Sequence, residues 1–83
     1  MEFIFSKHSL EQIELRGLSK KVIEDILLAP DYIIEDVEGV FIYQKLVFEH
    51  DKSYLYRVFV NRIKIPPMVV TAYKTSKTKK YEN

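Results

Sequence analysis

The chemically richest stretch of this chain lies near its C-terminus. Val69-Val70-Thr71-Ala72-Tyr73-Lys74-Thr75-Ser76-Lys77-Thr78-Lys79-Lys80-Tyr81 brings four ammonium groups, four aliphatic hydroxyls and two phenols into thirteen residues. Lysines supply charge for phosphates, and tyrosine faces stack on bases. Upstream, Arg57 stands among Tyr54, Tyr56 and Phe59. An arginine in such a stretch needs an acidic partner, a ring to stack on or a phosphate; Glu35 and Glu49 are the structural partners on offer. His8 and Arg16 complete the set. RNA cleavage needs neither a metal nor a standard triad, because the 2′-hydroxyl can attack its own phosphate. A protein then has to take one proton, give another and stabilise a crowded phosphorane anion. Arg57, Tyr73, Lys74, Lys77 and Lys80 have side chains of the required types. The structural alternative is an edge strand protected by lysines and followed by a solvated tail.

Composition narrows the field. The 83 residues suffice for one domain, residues 1–83, and 47% hydrophobic content supports a core without staples. There is no cysteine, which excludes disulfides, thiolate metal sites and cysteine nucleophiles. His8, His50 and the carboxylates follow no recognised ligand spacing, so neither metal nor cofactor is expected. No apolar run approaches the ~18 residues of a membrane span, and the N-terminal residues lack a signal-peptide pattern; the expectation is a cytoplasmic protein without a membrane partner. The net charge of +1 hides an asymmetry. Residues 1–51 hold five Lys/Arg against eleven Asp/Glu, and residues 52–83 hold eight against one. Such a split suggests a basic surface for an anionic partner, although the two halves could equally neutralise each other.

These residues need elements to position them. Phe3-Ile4-Phe5 reads as a short strand. A helix opens at Ser6 or Ser9, both competent caps, with Leu10, Ile13 and Leu18 directed to the core and Gly17 as its stop. Ser19 caps a second helix whose stripe is Val22, Ile23, Ile26 and Leu27, ended by Ala29-Pro30. The period then changes to two. Strands are expected over 32–37, 40–49, 54–61 and 68–75, and residues 76–83 form a short helix or a basic tail. The fold class is α+β, with an N-terminal short strand and a helical hairpin on one face of a four-stranded, mostly antiparallel sheet.

Parity sorts the side chains of the sheet. Even positions from Val40 to Phe48, from Tyr54 to Val60 and from Met68 to Ala72 read as the core face. Odd positions give the other: Phe41, Tyr43 and Lys45, then Arg57 and Phe59, then Thr71, Tyr73 and Thr75. Aromatics interleaved with cations form a plausible platform for single-stranded RNA. The same face could instead pack against the N-terminal strand, the tail or a partner chain.

The order strand–helix–helix–four strands–basic tail resembles the RelE/ParE superfamily of small bacterial toxins, including its BrnT-like branch. Three pieces are more closely similar to an uncharacterised bacterial domain family grouped with those toxins. They are Phe5-Ser6-Lys7-His8-Ser9-Leu10-Glu11-Gln12 with Arg16-Gly17-Leu18-Ser19, then Ala29-Pro30-Asp31, and Val70-Thr71-Ala72-Tyr73-Lys74-Thr75-Ser76-Lys77. The resemblance implies the toxin of a type II toxin–antitoxin system, an mRNA endonuclease working on free or ribosome-bound message and neutralised by a cognate antitoxin. On this reading the catalytic candidates are His8, Arg16, Arg57 and Tyr73. Tyr43, Lys45, Lys74, Ser76, Lys77, Lys80 and Tyr81 would bind RNA. The alternative is a non-catalytic module that uses the aromatic and basic face for RNA or protein.

Overall fold

Serine hydroxyls open both helices. In the computed structural model, which describes residues 2–81 and the last two of these by backbone alone, Ser6 caps α1 (Lys7–Leu15) and Ser19 caps α2 (Lys20–Leu28). The Ser6 side chain accepts from Ser9 N at 3.0 Å, and Ser9 Oγ donates back to Ser6 O at 2.7 Å. This pairing buries Ser9 and sets the rotation of α1. Ile13 and Leu18 therefore enter the core, whereas Leu10, expected inside, lies on the exposed side. Ile23, Ile26 and Leu27 form the inner stripe of α2, as their spacing predicts.

The strands are β1 (Ile4–Phe5), β2 (Tyr32–Val37), β3 (Val40–Glu49), β4 (Lys52–Asn61) and β5 (Met68–Thr75), followed by a 3-10 helix over Thr78–Tyr81. They form one sheet in the order β1-β5-β4-β3-β2. The sheet thus has five strands, not four. β1 pairs in parallel with β5, Ile4 opposite Met68 and Phe5 opposite Val69, and the other pairings are antiparallel. Two-residue turns join β2 to β3 through Glu38-Gly39 and β3 to β4 through His50-Asp51. His50 and Asp51 have φ of 53° and 61°, the left-handed pair that matches the twist of a tight hairpin. Gly39 is also left-handed at φ 83°, and a Cβ there would run into the Ile63 side chain.

The helices cover a single sheet face. Ile13, Leu18, Ile23, Ile26 and Leu27 pack on Tyr43, Tyr56, Val58, Val60, Val69 and Ala72. Two sequence expectations are corrected here. In β3 the odd positions face the helices: Tyr43 is opposite Val58 and is buried, edge-on to Phe3. An even number of turn residues makes paired positions differ in parity, so β3 and β4 present opposite parities to the same face. In β5, Phe59 pairs with Thr71 but Val60 pairs with Val69, which leaves Val70 as the extra residue of a bulge. Val69 therefore takes the core position that even numbering gives to Val70, while Ala72 stays inside.

Candidate functional site

The end of α1 reaches the last strand through one arginine. Arg16 is the C-cap; Gly17, at φ 66°, turns the chain, Gly17 N donates to Glu14 O and Leu18 N to Ile13 O. This double closure satisfies the last carbonyls and places a cation at the negative end of the helix dipole. The Arg16 guanidinium then meets the β5 backbone, donating from Nη1 to Ala72 O at 2.7 Å and to Thr71 Oγ1 at 3.3 Å. Both bonds leave from Nη1, and the rest of the fork can serve an anion.

Beside it lies an open pocket of about 530 Å³, lined by Arg16, Leu18, Tyr54 and residues 73–77. One lining residue, Lys74, belongs to a network on the helix-facing side of the sheet. Tyr56 and Lys74 are register partners on β4 and β5. Glu49 Oε1, at the end of β3, accepts from Lys74 Nζ at 2.5 Å and from the Tyr56 hydroxyl at 2.9 Å. The Lys74 ammonium also sits 4.5 Å from the centre of the Tyr54 ring, within cation–π range. The hydrogen bond from Lys74, then that from Tyr56, holds the Glu49 carboxyl below the ordinary carboxylate range. Its carboxylate raises Lys74 in turn, and burial followed by the bond to Glu49 raises Tyr56. At neutral pH the network is a carboxylate, an ammonium and a neutral phenol. Lys74 is a fixed positive charge and not a base. Ser76 and Lys77 are exposed at the rim, where Thr75 Oγ1 accepts from Lys77 N at 3.0 Å.

Arg57 occupies the opposite sheet face with Phe59 and Tyr73, as odd numbering predicts. It is half-buried, donates from Nε to Gln44 Oε1 and from Nη1 to the Tyr73 hydroxyl, both at 2.7 Å, and lies within 6 Å of both ring centres. The Phe59 and Tyr73 rings stack at 6.1 Å. Arg57 meets this amide and phenol, whereas Glu49 stands on the other face with Lys74, and Glu35 accepts from Gly39 N at 3.5 Å.

The other sequence candidates disperse. His8 is exposed in the first turn of α1, eight residues before Arg16 and so about 12 Å away along the helix. A single phosphate does not span both. Tyr43 belongs to the core and offers no ring face for stacking. Lys45 closes the end of α2, bonding Ala29 O at 3.0 Å and pairing with Asp31 at 3.5 Å. The side chains of Lys80 and Tyr81 lie outside the described residues. The sequence candidates did not include Tyr54, Tyr56 or Glu49. Spacing alone does not find them: six residues join β4 to β5, which by itself would set Tyr56 opposite Tyr73, and only the bulge at Val70 shifts the register to bring Lys74 beside Tyr54 and Tyr56.

Among the described residues no group of three His, Asp or Glu side chains is placed to hold a metal ion, and no helix is long and apolar enough to cross a membrane. Compared with protein-family models, curated proteins and solved structures, the chain gives no significant match.

Proposed function

We propose that this domain acts on single-stranded RNA as the toxin half of a toxin–antitoxin pair, gripping the phosphate backbone in the pocket beside Arg16. The observation that carries the reading is the meeting of two distant segments. Arg16, Leu18 and residues 73–77, from the two ends of the chain that bear the family-like motifs, line one pocket. The remaining N–H groups of Arg16, with the ammonium groups of Lys74 and Lys77, supply charge for a phosphate and for the phosphorane formed when the 2′-hydroxyl attacks. Tyr54 offers an aromatic wall for an unstacked base. The Tyr73 hydroxyl accepts from Arg57 on the other sheet face, so the proton leaving the 2′-hydroxyl and the one reaching the leaving oxygen would exchange with water. An antitoxin would neutralise the domain by covering the pocket.

A second reading, binding without cleavage, is favoured by one specific observation. Among the described residues the pocket is lined by no imidazole, and Glu49 keeps Lys74 and Tyr56 in their protonated forms.

Induced expression with mapping of transcript ends, combined with RNA anisotropy over a salt series, separates the two. The toxin reading expects growth arrest and cleaved messages, both lost in Arg16→Ala and reduced in Lys77→Ala. Salt-sensitive binding of intact RNA supports the second reading, with a slope that falls by about 0.7 for each phosphate contact removed. A harmless protein that neither binds nor cleaves RNA refutes both.

A further inference from the structure

The two edges of the sheet are treated differently. The outer side of β5 receives β1 at Met68 and Val69 and the Arg16 guanidinium at Ala72 O. The outer side of β2 receives nothing from the described residues. All six residues of β2 are exposed, among them Tyr32 at 69%, Ile33 at 47%, Ile34 at 45% and Val37 at 59%. Roughly 20 Å of unpaired backbone is on offer. Natural edges are blunted by lysine, proline or a covering element; β2 has neither lysine nor proline, and only the bulge near Asp36 interrupts it.

The geometry points to β2 as the docking edge for an extended, lysine-bearing strand of another protein. Charge decides the occupant. Residues 22–44 contain six carboxylates and no lysine or arginine. Glu24 is paired with Lys20, Asp25 with Lys21 and Asp31 with Lys45, whereas Glu35, Asp36 and Glu38 have no cationic partner among the described residues. A second copy in antiparallel register would align two such acidic edges along one seam, a like-charge juxtaposition that opposes assembly. A strand with two cations beside two apolar residues has the complementary pattern. Its cations meet Glu35 and Asp36, and its apolar side chains meet Ile33 and Ile34, which lie on opposite faces of the sheet. Main-chain hydrogen bonds supply affinity, and these four positions supply selectivity. β3 and β4 separate β2 from β5, so an occupant here leaves the Arg16 pocket open.

The test uses the full chain and peptides of about eight residues. One is centred on Lys-Lys-Val-Val, one on Glu-Glu-Val-Val, and one is the lysine peptide with alternate amides methylated. Fluorescence anisotropy should show the lysine peptide binding at least about tenfold more tightly than the glutamate peptide. Amide methylation should abolish binding, and amide hydrogen exchange should slow at residues 32–37. The double variant Glu35→Lys/Asp36→Lys, altered only at exposed positions, should reverse the preference while keeping its thermal midpoint. Equal affinity for both peptides, or protection confined to residues 69–77, would overturn the assignment. So would a concentration-dependent dimer of the chain alone that Ile34→Lys dissolves, since that makes a second copy the occupant.

Discussion

Tyr43→Ala tests the face assignment most directly, because alternation alone puts this ring on an RNA-facing surface and the structure puts it under the helices. Tyr43 is 5% exposed, opposes Val58 on β4, and meets the Phe3 ring edge-on at 5.8 Å and 87°. Truncating a buried aromatic costs about 3–5 kcal/mol, which includes the ~0.5–1.5 kcal/mol of its ring pair. A domain of this size has about 4–12 kcal/mol in all. The variant should therefore be marginal, with a Tm at least about 12 °C lower at roughly 4–8 °C per kcal/mol. Tyr43→Phe keeps the ring and its packing and should stay within about 0.5 kcal/mol of wild type. Phe48→Ala, on the other side of β3 with Phe48 71% exposed, should stay equally close. Urea unfolding followed by circular dichroism reads all three, and an unchanged m-value certifies that the midpoints report stability. The reasoning is refuted if Tyr43→Ala keeps the wild-type Tm and loses RNA affinity instead.

The acid limb of the stability profile should belong largely to Glu49. A depressed carboxyl contributes stability above its unfolded value of 4.5 and loses it as pH falls through the folded value. Lys74 and Tyr56, both raised, contribute below 10.5 and 10.0 respectively and lose their share above. Glu49→Gln should therefore melt below wild type at about pH 7, with the gap narrowing as pH falls below 4.5; a constant Tm difference across the acid range would contradict the linkage. At the first hairpin, Gly39→Ala combines a left-handed φ with a clash against Ile63 and should cost roughly 1–3 kcal/mol. A thermal midpoint matching wild type would mean that the turn relaxes freely.

Much of this architecture is legible in the residues themselves. Ser6, Ser19, Gly17 and Pro30 act through local backbone geometry, and local geometry is what sequence spacing reports. The bounds of β2, β3 and β5 follow from alternation for the same reason. Failures come where distant segments decide. Nothing in Ile4 or Phe5 says which strand they join, so the fifth strand and its parallel pairing with β5 emerge only from the assembled sheet. The face of β3 was recoverable from the parity of its turn, but the strand is buried on both sides: Ile42 and Gln44 are as buried as Tyr43. The bulge at Val70 carries no glycine or proline to mark it. At the site, the lysine-rich ending points to Lys77 and Lys80, yet the organising carboxylate, Glu49, comes from a hairpin end twenty-five residues before Lys74.

The parallel pairing of β1 with β5 sets a schedule for synthesis. Phe5 leaves the ribosome early but waits for Val69 before it has a strand to join, and Arg16 waits for Ala72. Both closures span more than fifty residues, so they complete late and at an entropic cost that local hairpins avoid. At about 5–20 residues per second, a nascent chain spends several seconds with α1 formed but lacking the strand it packs on. The pocket cannot form before residues 73–77 have been made, so the RNA binding proposed for it would wait for that segment.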